Sequence, residues 1–248
     1  MNIQPGISPL IIPERIVLFG SEGGFSRPVL KRLLAAGAPV TAVVIPGYSS
    51  RDDAVDRFPV RVQQPQNSAS LASLAVARDI PVLRVRHMYD QRLACSISRL
   101  AADILLVACF PFRIPATLRQ LARIACWNMH PAMLPRYRGP APVYWQIHNR
   151  ERNTGVTLHE VSDRLDAGDV VAQKSFPLPK GTSAGSLEES VAEFGVDLFL
   201  GTLKTWRKGH RISYPQDDAL ASYYPRAPVQ DAASLVRICG TCTPAGRC

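Results

Sequence analysis

The run Asp103-Ile-Leu-Leu-Val-Ala-Cys-Phe110 is the most hydrophobic stretch of the chain, and prolines at Pro111 and Pro115 stop it. A segment this short and this continuously apolar has no polar face to offer water. It suits a central parallel strand whose two faces are both covered by helices. The neighbouring segments fit that demand. Residues 15–20 and 40–45 are short β-rich runs, and residues 25–36 between them carry Phe25, Val29, Leu33 and Leu34 at helical spacing before Gly37. A helix is expected over 68–78 with Ser68 as its cap, a strand over 80–85, a helix over 89–100 with Leu93, Ile97 and Leu100, a short helix over 117–123 and a strand over 123–129. Strand and helix in alternation predict an α/β domain with a Rossmann-like, doubly wound, mostly parallel sheet.

After a Pro-rich loop the pattern continues with a helix over 142–150, strands over 155–161 and 170–178, and a long amphipathic helix over 186–206. Leu187, Val191, Phe194, Leu198 and Leu203 lie on one face of that helix. Beyond Gly209 the periodicity fades. The expected organisation is an N-terminal extension (1–14), one catalytic-size domain (15–209) and a partly irregular C-terminal extension (210–248). Residues 46–68 are polar and Pro-containing and read as a long surface loop.

Composition narrows the class. At 248 residues with 46% hydrophobic content the chain can bury a substantial core. No run approaches the roughly 18 apolar residues of a membrane helix, and residues 1–13 have no basic stretch ahead of their apolar ones, so the expected location is cytoplasmic. The net charge of +9 comes from 24 Arg and 5 Lys against 20 acidic residues. Arginine matches phosphate and carboxylate with a planar fork, which is compatible with anionic ligands or nucleic acid, but a solvated Arg-rich surface explains the charge as well. Cys95, Cys109 and Cys126 fall inside regular runs and are expected to be small buried hydrophobes. Cys239, Cys242 and Cys248 crowd a Gly/Pro/Thr tail with no fourth ligand nearby, so a frayed tail is expected there rather than a zinc site.

Chemistry concentrates in two places. The turn Gly20-Ser-Glu-Gly-Gly24 matches neither G-x-G-x-x-G nor the Walker pattern and carries an acidic Glu22, so a plain tight turn is expected. The second place is the stretch from Ala125 to Asp169. Asn128 and His130 sit near the carboxyl end of an expected strand, the edge where ligands bind in open α/β sheets, and Asp166 follows in an Asp-Ala-Gly-Asp sequence. An amide can stabilise an oxyanion, a histidine can relay a proton near neutrality, and a carboxylate can orient the histidine. The set suits acyl transfer through a tetrahedral intermediate. No serine elbow or His-paired cysteine stands out, so the substrate itself is expected to attack. Taken on spacing alone, a core histidine at His130 and turn-forming roles for Asn128 and Asp166 are equally good readings.

The sequence Asn128-x-His130-Pro131-x-x-Leu134-Pro135-x-Tyr137-Arg138-Gly139-Pro140-x-Pro142, followed by Thr154-Gly155-Val156-Thr157-Leu158-His159 and Leu165-Asp166-Ala167-Gly168-Asp169, resembles the formyltransferase family that uses 10-formyltetrahydrofolate. The likeness runs from Arg15 to Arg226. It implies the formyltransferase fold, no metal, and Asn128, His130 and Asp166 as the catalytic set. The acceptor amine would attack the formyl carbon, Asn128 and protonated His130 would stabilise the oxyanion, and Asp166 would hold His130 and assist proton transfer to the departing folate nitrogen. The resemblance also implies a folate pocket from Phe110, Phe112, Arg113 and Ile114 after the central strand, and from Val161, Ser162, Asp163 and Leu165 ahead of Asp166. Arg113 would meet the carboxylate end.

Two departures bear on the acceptor. Many relatives have Ser where Ala132 stands, and the N-terminal turn lacks the Gly-Ser-Asn pattern that holds a ribose phosphate in purine-pathway members. Methionyl-tRNA formyltransferases resemble the chain through Gln216 and Tyr223-Tyr-Pro-Arg226 and then continue into a basic barrel, for which fewer than thirty residues follow Ser222 here. The run through Trp145 is closer to amino-sugar formyltransferases. The expected partner is therefore a small-molecule amine, such as a nucleotide-linked amino sugar. A shortened tRNA formyltransferase, a formyltetrahydrofolate hydrolase and a non-enzymatic binding module of this fold are the alternatives.

Overall fold

A computed structural model describes residues 14–47 and 70–228. Seven strands form one sheet: β1 (Ile16–Gly20), β2 (Val40–Pro46), β3 (Val82–Val85), β4 (Ile104–Ala108), β5 (Ala125–His130), β6 (Asn153–Glu160) and β7 (Val170–Pro177). The helices are α1 (Ser26–Ala35), α2 (Leu71–Val76), α3 (Gln91–Leu100), α4 (Ala116–Arg119), α5 (Pro142–His148) and α6 (Ala184–Arg207). Strand order is β3-β2-β1-β4-β5-β6-β7. The β1 to β5 pairings are parallel, while β6 and β7 join antiparallel at the edge. This is the Rossmann-like, mostly parallel doubly wound sheet that the alternation predicts. Order reverses between β1 and β4, and the carboxyl ends of those strands open the crevice in which such sheets bind ligands.

The two-residue period of the strands builds two cores. Ile16, Leu18, Ile104, Leu106, Trp127 and Met129 face α1, α5 and α6, while Val17, Phe19, Leu105 and Val107 face α3 and α4. Trp127 is fully buried and meets Trp206 and Phe199 of α6 edge-on at 4.7 and 6.1 Å between ring centroids. Because Trp127 and Met129 go to the α6 side, Asn128 and His130 must project from the other face. The fold thereby sets the direction of both polar side chains.

Several expected details differ. The α2 cap is Ser70, whose Oγ accepts from Ser73 N at 3.0 Å, rather than Ser68, which lies outside the described residues. The helix expected over 117–123 is a single turn, since Arg123 and Ile124 donate to Ala102 and Asp103 and are drawn into the sheet, where Arg123 also pairs with Asp103 at 2.7 Å. Cys95 and Cys109 are exposed and Cys126 half-buried, so the small-hydrophobe reading fails for the first two: Cys95 is on the outer face of α3, and Cys109 is past the last β4 residue at φ 57°. In the turn after β1, the Glu22 carboxylate accepts from Leu71 N at 2.7 Å and fills the α2 amino end. Most of the long 46–68 loop, the first thirteen residues and the Cys239, Cys242 and Cys248 tail lie outside the described residues.

Candidate active site

Asn128 and His130 end β5, and their strand partner explains what surrounds them. β5 and β6 pair antiparallel with Asn128 directly opposite His159 and His130 opposite Thr157. Val156 and Leu158 go to the α6 core, so Thr157 and His159 share the face of Asn128 and His130. Asn128 Nδ2 donates to His159 Nε2 at 3.0 Å and to Asp166 Oδ1 at 3.2 Å. An Asn donor at Nε2 requires that nitrogen to be the acceptor, so the ring proton sits on His159 Nδ1 and is donated to Glu160 O at 2.9 Å. His159 is therefore held as a neutral tautomer. Burial pushes its pKa down to about 4, outweighing the Asp166 carboxylate, which acts to raise it, while His130 adds to the lowering.

Asp166 arrives on a tight turn after β6. Its φ of 51° lies in the left-handed region that Asp tolerates better than most residues. Gly168 completes the turn, for a Cβ there would come within 1.9 Å of Glu160 O. The carboxylate is buried and receives Asn128 on Oδ1 and Gly139 N, at 2.8 Å, on Oδ2. His130, also buried, donates from Nε2 to Tyr137 O at 2.8 Å, which leaves Nδ1 facing Asp166 Oδ1 across 3.7 Å. Two of the groups chosen from sequence, Asn128 and His130, thus converge on one carboxylate oxygen of the third, Asp166. Both Asn128 hydrogens are committed inside the protein, so donation to an oxyanion there requires exchanging one of those bonds, the longer being the one to Asp166.

Beside Asp166 lies a cleft of about 420 Å³ lined by Arg113, Asp163, Leu165 and Tyr223 together with Arg138 and Arg164. Of the residues expected to hold folate, Arg113, Asp163 and Leu165 line it, with Asp163 pinned by Arg119 at 2.8 Å. Phe110, Phe112 and Val161 are half-buried against the α3/α4 core, Phe110 edge-on to Phe19 at 5.3 Å and to Phe112 at 5.6 Å. Ser162 is spent on the turn, donating to Arg164 O at 2.9 Å. Ile114 is the correction: it is 2% exposed inside the core and can form no pocket wall. Ala132 is fully buried, with its carbonyl accepting from Thr157 Oγ1 at 2.7 Å. Trp145 donates Nε1 to Pro225 O at 2.8 Å and packs on Tyr224, so it clamps the chain beyond α6.

Sequence reasoning missed His159 and the role of Arg138, Gly139 and Gln216. His159 was legible as the residue two past Thr157 in an alternating strand; its register with Asn128 was not. Among the described residues no group of three or more His, Cys, Asp or Glu could hold a metal ion, and no helix is long and apolar enough to cross a membrane.

A family model described as formyl transferase matches residues 14–203. The methionyl-tRNA formyltransferase of Syntrophus aciditrophicus is 31% identical over 215 residues, covering 87% of this chain and 66% of that protein. Among solved structures, WlaRD, a sugar 3N-formyl transferase, superposes with a TM-score of 0.58 at 20% identity over 86% of this chain and 70% of its own. Glycinamide ribonucleotide transformylase 1 from Symbiobacterium toebii gives a TM-score of 0.60 at 15% identity, over 83% and 95%. These structures share the fold. The chain spans about two thirds of the length of the curated relatives it matches.

Proposed function

Since the chain belongs to the formyl transferase family, we propose that it moves a formyl group from 10-formyltetrahydrofolate to a primary amine. One observation carries this reading: Asn128, His130 and Asp166 meet at the carboxyl end of β5, with Asp166 Oδ1 at 3.2 Å from Asn128 Nδ2 and 3.7 Å from His130 Nδ1. The free amine attacks the formyl carbon, and negative charge grows on the formyl oxygen. Asn128 turns one N–H from Asp166 to that oxygen, and His130, charged at Nδ1, adds a second donor. The exchange frees Asp166 Oδ1 to take the proton leaving the amine, and a proton returns to folate N10 as its bond to the formyl carbon breaks. The carboxylate end of the folate pairs with Arg113, and its ring contacts backbone groups of residues 161–165. WlaRD was determined in the presence of dTDP and 5-N-formyl-THF, which agrees with a folate-type ligand on this fold.

For the acceptor, a small-molecule amine in the cytoplasm is the primary reading. Methionyl-tRNA is the second, favoured by the methionyl-tRNA formyltransferases at 31–33% identity. Tetrahydrofolate release is to be followed with a panel of amino sugars and with methionyl-tRNA at about 50 and 200 mM salt. Turnover with an amino sugar that ignores salt supports the first. A steep fall with salt, as counterion release demands, supports the second. No release with any amine above that of Asp166→Ala refutes both.

A further inference from the structure

The chain beyond α6 folds back onto the site. Tyr214 and Val170 exchange backbone hydrogen bonds of 3.0 and 2.8 Å, Arg138 N donates to Ser222 O and Tyr224 N to Arg138 O, each at 2.8 Å, and the Tyr224 ring stacks on Tyr137 at 4.9 Å. Between these stitches lies Gln216. Its Nε2 donates to Asp166 O at 2.9 Å and to Gly168 O at 2.7 Å, which are the backbone carbonyls of the turn that carries the carboxylate. Its Oε1 accepts from Arg138 Nε at 3.1 Å and Nη2 at 2.8 Å.

The orientation of this amide is determined by its neighbours. Arg138 has only donors to offer and the two carbonyls only acceptors, so one of the two amide orientations satisfies all four contacts. Arg138 is 7% exposed and its remaining Nη1 pairs with Asp218 at 2.9 Å. The next residue, Gly139, gives its N–H to Asp166 Oδ2. Asp166 sits at a φ of 51°, a conformation that surrounding contacts must hold. Its side chain is held from the residue 137–139 loop and its backbone from Gln216, and Arg138 joins the two supports.

We propose that Gln216 is a positioning residue that braces the Asp166 turn, making the segment after α6 part of the catalytic unit. This rests on the reading of Asp166 as a group that handles the reacting proton. Two variants separate the brace from folding: Gln216→Ala removes all four contacts, while Gln216→Glu keeps the length and the Arg138 partner but presents oxygen to both carbonyls. Both are expected to lower kcat for tetrahydrofolate release about tenfold, with KM for 10-formyltetrahydrofolate changed less than about threefold. In an Asp166→Ala background neither should lower it further. Amide hydrogen exchange, read without any acceptor, should quicken about tenfold at Gly139 and Ala167 and stay unchanged in β1 and β4. Wild-type exchange at Gly139 and Ala167, or losses that add to that of Asp166→Ala, overturn the brace. If the wild-type protein releases no tetrahydrofolate with any amine, formyl transfer fails and the exchange result alone decides on the brace.

Discussion

His159 should make the protein sensitive to acid in a calculable way. The ring is 2% exposed, donates at Nδ1 to Glu160 O and accepts at Nε2 from Asn128, so protonation both charges a buried group and opposes an N–H with an N–H. In the unfolded chain the imidazole titrates near 6.5; in the fold burial holds it down to about 4. A depressed folded value means that the native state prefers the neutral ring. The stability this contributes is complete above about 6.5 and is lost as pH falls toward 4. At 1.36 kcal/mol per pH unit the loss is on the order of 3 kcal/mol. Urea unfolding of the wild type and of His159→Gln, run from about pH 7.5 to 4, isolates the effect, because the remaining titratable groups are common to both proteins. The gap in unfolding free energy between the two should shift against the wild type by that amount across the window. A gap constant with pH would mean that His159 is not kept neutral by the fold, and the tautomer argument for Asn128 would fall with it.

Other expectations follow from single contacts. Gly139→Ala should cost about 2 kcal/mol or more and loosen the chain beyond Gly209 to protease, since φ is 120° and the added Cβ would lie 2.0 Å from Tyr224 O. Ser26→Ala should cost about 1–3 kcal/mol in urea unfolding, because the fully buried Oγ donates to Ala108 O at 2.6 Å and accepts from Ser21 N at 2.9 Å. Glu22→Ala removes the carboxylate at the amino end of α2 and should cost about 1 kcal/mol, read from the same unfolding curves.

The sheet was legible because its physics is local. Strands β1, β2 and β4 are mainly apolar runs too short for a helix, and α1, α3 and α6 show an apolar stripe, so alternation specified most of the parallel half. Capping was less legible: Ser68 and Ser70 are equivalent as letters, and only the start of packing at Leu71 selects Ser70. Exposure of Cys95 and Cys109 depends on where each run meets its neighbour, which periodicity does not contain. Asn128, His130 and Asp166 stood out through their motif, whereas His159 depended on an antiparallel register set by β5 and β6 together. Gln216 was hardest, being a polar residue in an aperiodic stretch whose meaning lies in contacts 48, 50 and 78 residues back along the chain.

In the proposed reaction the formyl group goes to an amine rather than to water. The most direct measurement uses 10-formyltetrahydrofolate labelled with ¹³C at the formyl carbon and follows the label by NMR in the presence of the amine panel. The label should appear as an N-formyl product in step with tetrahydrofolate, and Asn128→Ala should slow this about a hundredfold or more. Label recovered as free formate, or turnover unchanged in Asn128→Ala and His130→Ala, would contradict it.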